Sequence, residues 1–273
     1  MTESNHLSNN VTRFTGYANL YDKYRPEAPL QVVNLLTQYV GHKPTLVLDL
    51  GCGTGLSTII WKEHADQVVG IEPNEDMRNK ALEKLQLLGG TPSITFVAGY
   101  SDQTPAKSAS ADIVTCSQSF HWMEPESTLK EINRILKKNG VFAVYDCDWP
   151  PTLLWTLEAE YLNLIQKADA VIQQNVDTFD LVHKWNKDGH LDNFRESGIF
   201  RFTKEIVFHN IETCNAERYV GLALSQGSVQ NVLKLNLKNL DDDIEAFQQN
   251  VERFFDGRDL DIMFNYRMRL GVK

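Results

Sequence analysis

Long apolar runs are missing from this 273-residue chain. No stretch approaches the ~20 residues that a membrane-spanning helix needs, so no membrane association is expected. The opening MTESNHLSNN also lacks the charged-then-apolar pattern of a secretory leader. Cysteine is scarce, and Cys52, Cys116, Cys147 and Cys214 stand far apart with no C-x-x-C pair. Without a leader, that spacing argues against both a disulfide framework and a structural zinc site, and places the chain in a reducing cytosol. His183 and His190 have no neighbouring thiols, and the acids of LDDDIEAFQQN are read as helix-start residues favoured by the helix dipole. No metal site is therefore expected. Positive charge is short too: 27 Lys and Arg against 36 Asp and Glu give a net charge of -9. That balance speaks against a broad nucleic-acid footprint. No internal repeat or low-complexity linker is present, and the chain is expected to be a monomer or a homodimer working on small molecules.

What is present is an alternation of short apolar strands and helical segments. Leu30, Val33, Leu36 and Val40 recur at helical spacing until Gly41. TLVLDL then reads as a fully buried strand and GLSTIIWKEHA as a helix. QVVGIE is the second strand, followed by a helix that Asn74 caps, with Glu75 and Asp76 in its first turn. SITFVAG and ADIVTCS are strands three and four, PESTLKEINRILKKNG is a helix, and VFAVYDCD is the fifth strand. Such βαβ units imply a doubly wound, mostly parallel α/β sheet with helices on both faces. Beyond Pro150 and Pro151 the texture changes to a long helix from Thr152 to about Gln174, a short helix at LDNFRESG and a strand at FRFTKEIVF. Two more helices and a last strand, DIMFNYRMRL, complete the chain. The late strands are expected to pair at the sheet edge, with the intervening helices as a lid. Four segments result: a flexible tail at 1–15, a helical flap at 16–43, the sheet core at 44–150, and lid plus edge strands of the same domain at 151–273.

The stretch VLDLGCGTG places Gly51, Gly53 and Gly55 directly behind the first strand. In open parallel sheets this first strand-to-helix turn is where a nucleotide or nucleoside lies. A nicotinamide-type G-x-G-x-x-G would need glycine where Leu56 stands, and Asp49 would crowd a pyrophosphate while attracting an ammonium group. Glu72 ends the second strand 21 residues after Gly51, at the spacing where a carboxylate reaches ribose hydroxyls. Its bland alternative is a solvated strand-end acid.

Together these residues resemble the class I S-adenosylmethionine (SAM)-dependent methyltransferases, whose first motif VLDLGCGTG matches closely. FVAGYSDQTP resembles that family's segment after the third strand, ADIVTCSQSFHWM its fourth-strand motif. LKEINRILKKNGVFAV is similar to the branch that holds ubiquinone-biosynthetic and trans-aconitate methyltransferases, and the Y…Y..YRP run and YRMRLGVK resemble the trans-aconitate subgroup in particular. The resemblance implies a seven-stranded Rossmann-like sheet of order 3-2-1-4-5-7-6 with strand 7 antiparallel, and SAM as cofactor. It implies cofactor contacts from Asp49, Gly51, Cys52, Gly53, Gly55, Glu72 and Pro73. Ser101 and Asp102 would border the adenine, Ser117, Gln118 and Ser119 would line the methionine end, and Tyr24 would lie in a flap over the cofactor.

Methyl transfer from a sulfonium is an in-line displacement, so a base is needed only where the acceptor carries a proton at neutral pH. His121, just past the fourth strand, is the candidate base; the alternative is a histidine bonded to backbone in the pocket wall. Phe120 and Trp122 either wall the acceptor pocket or pack a loop onto the sheet. Tyr17, Tyr21 and Tyr24 share one helical face, as core or as flap. Arg25 is the cation for a carboxylate acceptor of the trans-aconitate kind, or a surface ion pair. Besides a small-molecule methyltransferase, the motifs leave open a non-catalytic SAM-binding regulator and, against Leu56 and Asp49, a nicotinamide oxidoreductase.

Overall fold

The computed structural model describes residues 9–175 and 182–273. Positions 1–8 of the expected tail lie outside the described residues, while residues 9–12 form a helical turn with Asn10 buried. Seven strands make one sheet in the order β3-β2-β1-β4-β5-β7-β6. They are β1 Leu46–Leu50, β2 Gln67–Ile71, β3 Ile94–Val97, β4 Ala111–Ser117, β5 Leu136–Thr152, β6 Phe202–Cys214 and β7 Leu260–Val272. β1 runs parallel to β2 and β4, β2 to β3, and β4 to β5. Lys273 donates its N–H to the Gly140 carbonyl and accepts from Asn139 N–H, both at 3.0 Å. The end of β7 therefore lies beside the start of β5, and the two are antiparallel. The strand order and the reversed seventh strand are those the resemblance implies.

The chain divides into two compact units. One joins Pro26–Asp146, His183–Val207 and Arg267–Lys273. Its helices are α2 Leu30–Val40, α3 Glu75–Leu87, α4 Pro125–Ile135 and α6 His190–Glu196. Leu48, Leu50, Val114, Cys116, Phe142 and Val144 form its core with Phe120 and Phe194. Strands covered on both faces need near-continuous apolar runs, which VLDL and ADIVTC supply. The other unit joins the segments up to Arg25, Cys147–Val182 and Phe208–Tyr266. It contains α1 Ala18–Tyr24, α5 Trp155–Asn175, α7 Ala216–Leu224, α8 Gly227–Lys234 and α9 Asp241–Phe255. Its own core gathers Tyr161, Leu164, Tyr219, Leu222, Phe247, Phe255 and Phe264. No described helix is long and apolar enough to cross a membrane.

Three local expectations give way to geometry. Between β1 and β2 the chain makes tight turns and a 3-10 helix at Ile59–Trp61 in place of the expected α-helix. Ser57 and Thr58 bond their hydroxyls to Asp49. With β-branched Thr58, Ile59 and Ile60 in succession, the segment closes on short i to i+3 bonds such as Thr58 N–H to Gly55 O at 3.1 Å. α4 ends at Ile135 and does not run on to Gly140. Leu136 turns extended and pairs with Ala111, while Lys137 reaches Asp112 at 2.8 Å. After β6 there are three helices where two were expected.

Candidate active site

The three glycines of the turn do different work. Gly51, Gly53 and Gly55 all have positive φ, at 63°, 56° and 83°, a region that disfavours side chains. A Cβ on Gly51 would stand 2.7 Å from Ser119 Cβ, and one on Gly55 would stand 2.8 Å from the Phe96 ring. These two are close-packing positions. A Cβ on Gly53 would meet nothing within 4 Å, so the turn is open there. Glu72, only 7% exposed, accepts the Gly53 N–H at 2.9 Å through one oxygen and the Asn74 N–H at 2.8 Å through the other. Burial pushes its carboxyl up to about 7, against these two donors and the nearby Arg78. Pro73 is half-buried beside it, its carbonyl accepting from Arg78.

Asp49 lies in register with Gly70 of β2 and Thr115 of β4 and is fully buried. Its carboxylate accepts from Ser57 and Thr58, both at 2.7 Å, and from Thr115 at 2.9 Å. Burial raises its pKa. The acid thus anchors the segment after the glycines to β4. Cys52 points inward: a Cβ on Gly70 would stand 2.8 Å from its sulfur. Burial also drives its thiol well up, which leaves its backbone as the part that serves the turn. Thr54 Oγ1, buried in the same turn, has no hydrogen-bond partner among the described residues.

The exit of β4 is locked against this turn. Ser119 donates its hydroxyl to the Leu50 carbonyl at 2.7 Å. Gln118 donates its N–H to Tyr145 O at 2.9 Å and adopts a φ of 50°, a conformation rare for a residue with a side chain. Such strain persists where the surroundings over-determine it and clusters at functional sites. Phe120 and His121 then sit in a 3-10 turn with Trp122. The Phe120 ring is fully buried and packs edge-on to Phe142, His190 and Phe194, the arrangement of the loop-packing alternative. Trp122 is half-buried, its ring 4.6 Å from that of His121.

His121 is 5% exposed, and its Nδ1 stands 3.7 Å from Asp146 Oδ1 on β5. The same oxygen receives Lys187 Nζ at 2.7 Å, and the other oxygen faces Arg269 at 3.6 Å. Trp185 donates its N–H to the His121 carbonyl at 2.9 Å, tying the segment that carries Lys187 to the histidine turn. The sequence reading missed Asp146 and Lys187. The available signal was a lone acid inside the apolar fifth strand, in VYDCD.

The remaining candidates are dispersed. Ser101 shares a 2.9 Å hydroxyl bond with Thr128, and Asp102 is exposed. Ser117 is half-buried at the end of β4. Tyr17, Tyr21, Tyr24 and Arg25 belong to the other unit. There Tyr17 is buried under Lys234, 4.4 Å from its ring centroid, and burial pushes its phenol up to about 12. Tyr21 lies beside Tyr17, with ring centroids 6.4 Å apart. Tyr24 covers Gly221 of α7, where a Cβ would stand 2.3 Å from the ring, and donates to Glu217 at 2.9 Å. Arg25 donates to Ser225 Oγ at 3.0 Å and to Ser225 O at 2.9 Å, and its guanidinium lies 4.4 Å from the Trp149 ring centroid.

The family model for the methyltransferase domain matches residues 48–144. An uncharacterised methyltransferase-like protein of Schizosaccharomyces pombe is 27% identical over 154 residues, 56% of this chain and 54% of that protein. The Saccharomyces cerevisiae protein named "Probable S-adenosylmethionine-dependent methyltransferase CRG1" is 30% identical over 128 residues, 46% of this chain and 43% of its own. The chain spans about half the length of these curated relatives. Among solved structures, the YcgJ protein from Bacillus subtilis shares the fold with a TM-score of 0.54 at 17% identity, covering 90% of this chain and 99% of its own. Sheet order, glycine turn and strand-end carboxylate define the class I methyltransferase fold. Residues 48–144 of this chain match the methyltransferase-domain model, within a sheet of that fold.

Proposed function

We propose that this protein transfers a methyl group from SAM to a small-molecule acceptor in a reducing, cytosolic setting, where its four buried cysteines remain free thiols. The observation that carries the reading is the glycine turn, open at Gly53 and backed by the Glu72 carboxylate. The residues fit the cofactor. The open face admits a nucleoside, Glu72 keeps acceptor capacity for ribose hydroxyls, and the unpartnered Thr54 hydroxyl offers a further polar contact. Bound there, SAM supplies an electrophilic methyl group on a sulfonium sulfur. The chain's part is to hold it through Gly53 and Glu72, to brace the turn through Asp49, and to exclude water.

Two acceptor chemistries rest on different residues. His121, buried beside Asp146, suits an acceptor whose proton must leave, such as a hydroxyl or an ammonium group. Arg25 suits a carboxylate, which needs no base. The paired bonds from Arg25 to Ser225 already engage that guanidinium, which favours the proton-bearing acceptor. Calorimetric titration with SAM, S-adenosylhomocysteine and NAD tests the cofactor: tight binding of the first two and none of NAD is expected. Transfer of label from methyl-labelled SAM into a fractionated metabolite pool tests catalysis. Binding without any labelled product would leave a regulatory SAM-binding protein.

A further inference from the structure

We infer that Asp146 is a positioning residue for His121, and that Lys187 sets how far the imidazole can draw on that carboxylate, because the two compete for the same oxygen. This rests on the reading of His121 as the group that takes the acceptor's proton. The geometry is specific. Asp146 is 1% exposed. Its Oδ1 faces His121 Nδ1 at 3.7 Å and Lys187 Nζ at 2.7 Å, while Oδ2 faces Arg269 at 3.6 Å. A carboxylate opposite Nδ1 favours the tautomer with the proton on Nδ1, which leaves Nε2 as the proton acceptor.

The charge balance decides the second half. Around the Asp146 carboxylate of β5 stand His121, Lys187 from the turn at Lys187–Gly189 and Arg269 from β7, and His190 of α6 senses Asp146, Arg269, Lys187 and Asp188. Lys184 lies over Trp122 at 5.8 Å, and Glu205 of β6 pairs with Arg269 at 2.9 Å. With Glu205 turned to Arg269, the buried Asp146 is shared by Lys187, Arg269 and the imidazole. His190 reports the same surroundings: burial first lowers it to about 4, and Arg269 and Lys187 add to the effect while Asp146 opposes it. Lys187 Nζ stands 2.7 Å from Asp146 Oδ1 and His121 Nδ1 3.7 Å from it, so the ammonium is the nearer claimant on that oxygen. Lys187 arrives on the segment that Trp185 ties to the His121 carbonyl, so histidine and lysine are delivered to one oxygen together.

The test follows the imidazole itself. Nitrogen-resolved NMR of the histidine rings is recorded against pH in the ligand-free protein, with His121 assigned by loss of its signals in His121→Gln. Lys187→Met should raise the His121 midpoint by about one pH unit, since the freed carboxylate then stabilises the cation. Lys187→Arg should leave it near the parent value. Asp146→Asn should lower it by about one unit or more and reduce the Nδ1-protonated tautomer. Should Asp146→Asn fail to fold, Lys187→Met decides, because Lys187 is 28% exposed and its loss leaves Arg269 facing Asp146. An unchanged midpoint in Lys187→Met overturns the inference. Methyl transfer by His121→Gln is the separate readout. Full activity there, with the NMR shifts present, removes the base reading and leaves the Asp146 pairing standing.

Discussion

Glu72 accepts the backbone N–H of Gly53 at 2.9 Å, so the acid that ends β2 and the open glycine after β1 form one unit of structure. Burial holds this carboxyl up to about 7, yet ribose hydroxyls are best accepted by the ionised form. SAM binding should therefore release a proton below that pH, and affinity should fall toward tenfold per unit as pH drops further. Calorimetry in buffers of different ionisation heat reads the proton directly. Glu72→Ala should weaken SAM by about 1 to 3 kcal/mol in a folded protein. Unchanged affinity would make Glu72 only a brace for the turn.

The glycines separate binding from folding. Gly53 and Gly55 both have positive φ, so alanine strains each by about 1 kcal/mol. Only Gly55→Ala also drives a methyl into the Phe96 ring, an overpacking worth about 1 to 3 kcal/mol more. Gly55→Ala should thus melt clearly lower than Gly53→Ala in the ligand-free state. Gly53→Val should lose SAM affinity beyond its loss of stability, because it fills the open face. Equal damage to melting and binding in Gly53→Val would count against a cofactor lying there.

His190 gives a pH dependence with a definite sign. Neither ring nitrogen has a hydrogen-bond partner among the described residues, and burial depresses the group to about 4. Above about pH 6.5 both folded and unfolded chains hold it neutral. Between 6.5 and 4 only the unfolded chain takes the proton, so stability is lost as pH falls, by an amount approaching ~3 kcal/mol. His190→Phe, which keeps an aromatic ring against Phe120, should lose less stability than the parent between pH 7.5 and 5 in urea titrations. Parallel losses in the two proteins would show that His190 titrates normally.

What the sequence revealed follows from how local each feature is. VLDLGCGTG and Glu72 could be read because a glycine turn and a strand-end acid are fixed by backbone conformation and spacing. Asn74 was legible as a cap for the same reason, and it does accept the Met77 N–H at 3.0 Å. Asp49 was read as a charge for the ligand. Its actual partners include Thr115, one strand away, and that pairing depends on a register invisible in either strand alone. The 3-10 turn at Phe120–Trp122 buries the first two side chains and leaves Trp122 half-buried, a division that no periodicity in SFHWM announces. Asp146 and Lys187 meet His121 only through folding, from β5 and from a turn more than sixty residues downstream of the histidine.

Variants of Arg25 and His121 test which of the two proposed acceptor chemistries applies. Arg25 makes two bonds to Ser225 and lies over Trp149, so Arg25→Ala should cost about 1 to 3 kcal/mol of stability whatever the substrate. If the acceptor is a hydroxyl or an ammonium group, that variant should keep most of its kcat where it remains folded. His121→Ala should then lose on the order of a hundredfold in kcat, because the proposed base for the departing proton is gone. The parent rate should also depend on the ionisation of a single group, and that dependence should vanish in His121→Ala. If the acceptor is a carboxylate, the order reverses: Arg25→Ala fails even when folded, and His121→Ala keeps its rate with no histidine-like titration. Both variants are assayed across pH at saturating SAM, with melting curves taken in the same buffers so that unfolding is separated from chemistry. A catalytically indispensable Arg25 beside a dispensable His121 would overturn the proton-bearing acceptor and leave the methyltransferase domain unaffected.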